Sequence, residues 1–275
     1  MTTLASQDLI PELMTELERL PPARSAALRI VQLVDDPRST ATGVAAAASS
    51  DPAFTARLLR MANSTYYGLS GRVASASFAI TVIGFDTVRS LAAMAAAGDL
   101  GEGDLPPRFW DRATATASGT ALLSRRVGAN VEQAFCAGIL HDLGSALLWR
   151  YDHDRYADLL ARADARTPVH VLEQREYGGT HASLCADVLA AWRFPDDLCL
   201  AIARQHDRPS IGGAPLTRAL QGGLALAGVA DGRLRRHDSV VVGGLAAANV
   251  PPDDLPQLLA RVQVEGRELV TALQA

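Results

Sequence analysis

Apolar residues recur every three or four positions along most of the chain, which is the spacing of an amphipathic helix. Near the start this pattern runs through Leu9, Leu13, Leu17 and Leu20 and stops at two prolines. Asp51 directly before Pro52 predicts an N-cap followed by proline in the first helical turn. The only β-like stretch is the short triplet Val240–Val242. The pattern therefore predicts an all-α, multi-helix fold.

The strongest internal boundary is the segment 98–107, GDLGEGDLPP, because it is rich in glycine, proline and acidic residues. After it, the pattern predicts helices over Arg108–Val127, Val131–Tyr151, Pro168–Tyr177, His181–Trp192 and Asp196–Gln205. Further helices are expected over the remaining C-terminal residues, with a break at Pro251-Pro252. We expect an N-terminal helical part over 9–97, a second helical part over 107–207 and a C-terminal helical extension over 208–275.

The composition of the chain limits its structural class, its binding partners and its cellular compartment. The chain is 48% hydrophobic but only 5% aromatic, which favours close-packed helices. A net charge of -4 argues against a broad nucleic-acid-binding surface. No apolar run has membrane-spanning length, and the N-terminus lacks the features of a signal peptide. The three cysteines, Cys136, Cys185 and Cys199, lie in apolar contexts and fit buried thiols of a cytoplasmic protein.

The chain has no lysine, so all 26 of its basic residues are arginines. This excludes a phosphate-binding P-loop, a protein kinase and any enzyme that forms a Schiff base through lysine.

The dipeptide His141-Asp142 is the most informative pair of polar residues. It ends the apolar helical run AFCAGILHDLG at 134–144, which is how a helical metal-dependent phosphohydrolase presents two of its ligands. The same dipeptide at 153 and 237 lies among charged residues and fits a solvated surface. We therefore expect chemistry, if there is any, near residue 141.

Several motifs, taken in order, resemble the HD-related output domain (HDOD) family of bacterial signalling proteins. They are LPPARSAALRIVQLVDDP at 20–37, SDPAFTARLLRMANSTYYG at 50–68, AITVIGFDTVRSLA at 79–92, FW at 109–110, AGILHDLG at 137–144 and HASLCADVLAAWRFP at 181–195. The resemblance covers about 9–207, and the block at 51–68 is its most specific part. It implies a helical fold with an HD-like second half, and a regulatory role in signalling.

The resemblance also implies a metal-ligand pattern that this chain does not complete. A working HD site has a first His, then His-Asp, then a later Asp. His141 and Asp142 match the middle pair, but Arg112 stands where the first His is expected, and no acidic residue occurs from 208 to 230. Two protein ligands rarely hold a divalent ion. We predict no metal and no cofactor, and we expect Arg112 to point into the vestigial pocket and pair with Asp142.

Two further groups of residues are candidate sites. His181, His206 and Asp207 form a candidate ligand or polar site, which could also rebuild a metal site. His181 lies near a predicted helix N-terminus, where its neutral form is expected. Asn63, Tyr66 and Tyr67, with the loop that follows as far as residue 75, form a candidate interaction surface. A helix end closed by Asn63 and Gly68 would explain the same motif without a partner.

The sequence therefore favours a non-catalytic regulatory module that binds an unidentified signalling protein or a small ligand. Two alternatives stay open. One is a metal-dependent phosphohydrolase of a nucleotide or cyclic nucleotide, which would use His141, Asp142, His181 and His206. The other is a nucleotide-binding module without turnover.

Overall fold

The computed structural model describes residues 22–69, 71–97, 105–164 and 167–274. These residues form helices joined by turns, with no strand among them, so the predicted all-α fold is confirmed. The leucine pattern at 9–20 and most of the boundary at 98–107 lie outside the described residues.

The N-terminal part packs five helices around one apolar core. They are α1 (Pro22–Val34), α2 (Ala41–Ala48), α3 (Pro52–Ala62), α4 (Ala76–Ile83) and α5 (Phe85–Ala97), with a 3-10 turn at Thr65–Tyr67. At the start of α3, Asp51 accepts a hydrogen bond from the backbone N–H of Phe54, and Pro52 lies in the first turn. The sequence therefore predicts this helix start correctly.

The second part carries the vestigial HD pocket, at Arg112, His141 and Asp142. Its helices are α6 (Phe109–Val127), α7 (Val131–Leu140), α8 (Leu143–Tyr151), α9 (His153–Arg162), α10 (Val169–Tyr177), α11 (His181–Ala191) and α12 (Asp196–Ala203). Helix α9 was not predicted, because its many charged residues suggest a solvated surface; only Tyr156 and Leu159 are buried.

The prediction of one continuous helix from Val131 to Tyr151 is wrong. Helix α7 ends at Leu140, and Asp142 leaves the helical region before α8 begins. A side chain at Gly144 would come within 2.0 Å of the backbone oxygen of His181, so the start of α8 lies directly against the start of α11. This break turns His141 and Asp142 towards α11.

The C-terminal residues form α13 (Pro215–Ala230), α14 (Ser239–Ala247), a 3-10 turn at Pro252–Asp254 and α15 (Leu255–Gln274). Helices α13 and α15 both pack against α6, the long central helix. Their residues Leu220 and Leu269 belong to the same buried core as Phe54 and Leu140. The extension is therefore continuous with the core, and the boundaries proposed between the parts stay predictions.

Among the described residues, no single helix has the length and apolar character needed to cross a membrane. Only α4 and α5 taken together would pass that test, and they meet at a bend of 108°.

Candidate functional site

The predicted contact between Arg112 and Asp142 is present. Both Nε and Nη2 of Arg112 donate to Oδ2 of Asp142, at 3.1 and 2.6 Å. Nη1 of Arg112 donates to the backbone oxygen of Pro107 at 2.7 Å. Helix α6, which carries Arg112, and α7, which ends two residues before Asp142, touch through their backbones, since a Cβ at Gly138 would lie 2.5 Å from Cα of Ala117. This close approach of α6 and α7 places Arg112 within reach of Asp142.

The Arg112–Asp142 pair is charged and shielded from water, with side chains 19% and 8% exposed. Burial alone would raise the pKa of Asp142, but the Arg112 guanidinium, together with His141, His181 and a hydrogen bond from Ser145, outweighs burial and holds that pKa well below its usual range. Burial likewise opposes the charge on Arg112, yet the carboxylate of Asp142 raises the arginine's pKa overall. Each residue therefore supplies the charge that keeps the other ionised.

His141 is a buried, neutral imidazole. Its Nδ1 lies 2.8 Å from the backbone oxygen of Gly138, and that oxygen can only accept, so Nδ1 carries the proton. Burial lowers the pKa of His141 to about 4, which keeps the ring uncharged near neutral pH. Its backbone oxygen accepts from Nε2 of Gln205 at 3.0 Å, which ties the turn after α12 to the break after α7.

A buried carboxylate that sequence reasoning missed lies on the opposite side of the pocket. Oε2 of Glu173 accepts from Nδ1 of His181 at 2.7 Å and from the backbone N–H of His181 at 2.8 Å. Oε1 accepts from the hydroxyl of Tyr156 at 2.6 Å. Burial would raise the pKa of Glu173, but its contacts with His181 outweigh that and lower it. Glu173 is therefore an ionised acceptor.

The expectation that His181 is neutral stays a prediction, and the contact of its ring with Glu173 acts against it. His181 does begin α11, after a capping box formed by Thr180 and Ser183. Burial lowers the pKa of His181, as a helix N-terminus would, but the charge and hydrogen bond of Glu173 outweigh it and raise that pKa. Sequence reasoning missed this because Glu173 comes from a different helix.

His206 continues this chain of polar contacts. Its Nε2 lies 2.9 Å from Nε2 of His181, and two ring nitrogens at that distance share one proton. The raised pKa of His181 and the lowered pKa of His206 favour His181 as the donor and His206 as the acceptor. Although His206 as a residue is exposed, its ring stacks on His170 at 4.3 Å. Burial of the ring, followed by repulsion from His181 and His170, lowers the pKa of His206 well below its ordinary value.

The predicted polar site is thus partly assembled. His181 and His206 meet, whereas Asp207 is exposed and its backbone oxygen accepts from Gln221. His170 was missed, although it lies three residues before Glu173 and therefore on the same face of α10. That spacing was the signal available in the sequence.

These residues do not fit a divalent metal ion. Arg112 brings a fixed positive charge to the first ligand position, and its two N–H groups already occupy Oδ2 of Asp142. Both ring nitrogens of His181 are engaged, one with Glu173 and one with His206. In the described part of the chain, no group of three or more His, Cys, Asp or Glu side chains has a geometry that could hold a metal.

The candidate interaction surface is less exposed than the sequence suggests. The side-chain amide of Asn63 donates to the backbone oxygens of Leu59 and Val73 and accepts from the N–H of Val73, so it closes the loop between them. The rings of Tyr66 and Tyr67 are half-buried and pack on the core, and burial raises the pKa of both hydroxyls. A structural role therefore accounts for Asn63, and a partner surface at the tyrosines stays a prediction.

Comparison with known proteins identifies relatives of the same fold. A candidate phosphohydrolase from Shewanella amazonensis SB2B superposes with a TM-score of 0.69 at 24% identity, covering 95% of this chain and 97% of that protein. A candidate signal transduction protein from Marinobacter aquaeolei VT8 gives 0.66 at 23% identity, covering 94% and 60%. An HDOD domain protein of unknown function from Geobacter sulfurreducens gives 0.61 at 22%, covering 96% of both. At these identities the likeness shows the fold.

An uncharacterised protein of Treponema pallidum (strain Nichols) is 23% identical over 210 residues. The alignment covers 73% of this chain but only 40% of that protein, so this chain corresponds to less than half of its relative. The sequence profile of the HDOD domain matches residues 20–208, which is well over half of the chain. This protein therefore belongs to the HDOD domain family and has an HD-like helical scaffold.

Proposed function

We propose that this HDOD protein is a non-catalytic regulatory module, which acts in signal transduction by binding a protein partner or a small ligand. The observation that carries the proposal is the ion pair of Arg112 with Asp142, at 2.6 Å in the pocket where an HD enzyme would hold its metal. The guanidinium supplies the positive charge that a carboxylate in such a pocket needs. The pocket is then internally neutralised and has no metal-activated water to use as a nucleophile.

The other side of the pocket supports the same proposal. Glu173 and His181 compensate each other's charge, and His141 and His206 are held neutral. Such a closed set of polar contacts stabilises one arrangement of helices, and it offers no free carboxylate to a divalent ion.

A metal and turnover assay tests the proposal. Purified protein is incubated with Mn²⁺ and then desalted, and bound metal is measured together with hydrolysis of bis(p-nitrophenyl) phosphate. We expect no retained metal and no hydrolysis above the buffer rate. The matched variant Arg112→His restores the ligand type at that position and serves as the control for any gain of metal binding.

About one retained metal per chain, with hydrolysis that His141→Ala abolishes, would instead establish the metal-dependent phosphohydrolase. That alternative is favoured by the similar fold of the candidate phosphohydrolase from Shewanella amazonensis. The third possibility, nucleotide binding without turnover, predicts a rise in melting temperature with mono-, di- or cyclic nucleotides in the absence of hydrolysis.

A further inference from the structure

A second buried arginine lies outside the pocket, where the N-terminal helices meet the end of α11. Nη2 of Arg89, on α5, donates to the backbone oxygens of Trp192 and Arg193, both at 2.8 Å. Nη1 lies 3.3 Å from Oδ1 of Asp35, directly after α1. The guanidinium also lies 4.3 Å from the ring centroid of Phe194. One side chain therefore connects α1, α5 and the C-terminal end of α11.

Burying the Arg89 guanidinium in this contact costs free energy that an apolar contact would not cost. The Arg89 side chain is only 7% exposed, and its Nε is a buried donor without a partner. Burying a guanidinium requires its desolvation, and replacing buried ionic groups by packed apolar ones is often neutral or stabilising. The carbonyl of Arg193 belongs to a residue with a φ of 59°, which a non-glycine residue rarely adopts. The contact therefore fixes the relative position of the helices more than it stabilises the fold.

Helix α11 links this contact to the histidine pocket. His181 is its first residue, and Trp192, one of the two residues that bind Arg89, is its C-cap. The helix is about 16 Å long, at 1.5 Å per residue, and has no proline or glycine within it. An axial shift at one end is therefore transmitted to the other.

We propose that Arg89 couples the N-terminal helices to the histidine pocket by fixing the axial position of α11. A displacement of α1 or α5 then changes the contacts of His181 with Glu173 and His206. This inference goes beyond the proposed function and does not depend on whether the pocket is catalytic. It makes Arg89 a positioning residue that acts on His181 from the opposite end of one helix.

The test compares Arg89→Met with a matched control, Arg218→Met. Nε of Arg218 donates to the backbone oxygen of Ala247 at 2.7 Å, which is also a contact with a helix C-terminus, but on α14. Ring ¹⁵N chemical shifts of the histidines are followed by NMR over a pH titration. In Arg89→Met we expect the titration midpoint of His181 to fall by about half a pH unit, a threefold change in proton affinity, because its contact with Glu173 loosens. Arg218→Met should leave that midpoint unchanged.

A second variant covers the case in which Arg89→Met does not fold. Asp35→Asn removes only the half-exposed ion pair and keeps the bonds of Arg89 to the carbonyls. A smaller shift of the His181 midpoint in the same direction supports the coupling. The coupling is refuted if every variant of Arg89 or Asp35 that folds keeps the His181 and His206 resonances of the parent, or if Arg218→Met moves them equally.

Discussion

The two sides of the pocket are both buried and polar, but they respond differently to protons. On one side, Arg112 and Asp142 hold opposite charges that persist at any pH near neutrality. On the other, Glu173, His181 and His206 are connected through bonds that depend on where the imidazole protons lie. The first side has the character of a fixed structural ion pair, whereas the second can change state. Three predictions test this difference.

The largest effect is expected from Asp142→Ala. It leaves Arg112 buried without a counter-charge, and breaking such a pair typically costs about 3–5 kcal/mol. Because the Arg112 side chain keeps some contact with solvent, we expect a loss near the lower end of that range, measured by urea denaturation at pH 7. The control Asp111→Ala removes an exposed carboxylate next to Arg112 on α6 and should change the unfolding free energy by less than about 0.5 kcal/mol.

A double variant sharpens this result. Arg112→Met combined with Asp142→Leu replaces both charges with apolar groups and should recover most of the stability lost in Asp142→Ala. If Asp142→Ala lowers the unfolding free energy no more than Asp111→Ala does, the burial of the Arg112 charge does not depend on Asp142. The two sides of the pocket would then not differ as proposed.

An intermediate effect is expected from Glu173→Gln. The fully buried carboxylate loses its charge and one of its two acceptor oxygens, so that either Tyr156 or His181 faces an amide N–H, which we expect to cost about 2–3 kcal/mol. The pKa of His181 should fall at the same time, which an NMR titration would detect. Glu176→Gln, on the same helix but in a more exposed ion-pair network, should cost only about 0–1 kcal/mol. Equal losses in the two variants would contradict a special role for Glu173.

The smallest effect is a dependence of stability on pH. The folded pKa of His141 is lowered to about 4, so the unfolded chain binds protons more readily as the pH falls below the ordinary value of about 6.5. The stability due to this neutral ring is complete above that value, and about 2 kcal/mol of it is lost between pH 7 and pH 5. The lowered pKa of His206 acts in the same direction. The raised pKa of His181 acts oppositely, since its contribution is complete at low pH and is lost as the pH rises through the folded value.

Urea denaturation at pH 7, 6 and 5 measures this dependence. His141→Gln should flatten it by about 2 kcal/mol over that interval, whereas His237→Gln, at an exposed position, should leave it unchanged. An equally steep loss in His141→Gln would mean that other groups, not the buried imidazole, cause the acid sensitivity.

The parts of the site that could be predicted are those at fixed distances from a motif. Arg112 follows Phe109-Trp110 by two residues, so its place opposite Asp142 could be inferred from the sequence once the family pattern was recognised. The helices, and the cap at Asp51, follow from local periodicity and turn chemistry. The break after Leu140 could not be predicted from such local patterns, because it depends on the close contact of Gly144 with His181, 37 positions later in the sequence.

Glu173 and Arg89 show why the rest could not be predicted. The partners of each lie outside its own helix: His181 and Tyr156 for the glutamate, Asp35 and Trp192 for the arginine. A charged residue among the buried positions of a helix, such as Arg89 in α5, signals a buried partner, but it does not say which one. The raised pKa of His181 follows from its contact with Glu173 and was therefore inaccessible as well.

The close contact of Gly138 with Ala117 has a consequence for the engineering of this scaffold. It sets the distance between α6 and α7 through backbone atoms alone, so that distance does not depend on the side chains that face the pocket. An ion pair, a set of metal ligands or a purely apolar plug can then be exchanged at positions 112 and 142 on one unchanged framework. A library restricted to those two positions would sample different pocket chemistries at a nearly constant backbone, provided that Gly138 is kept.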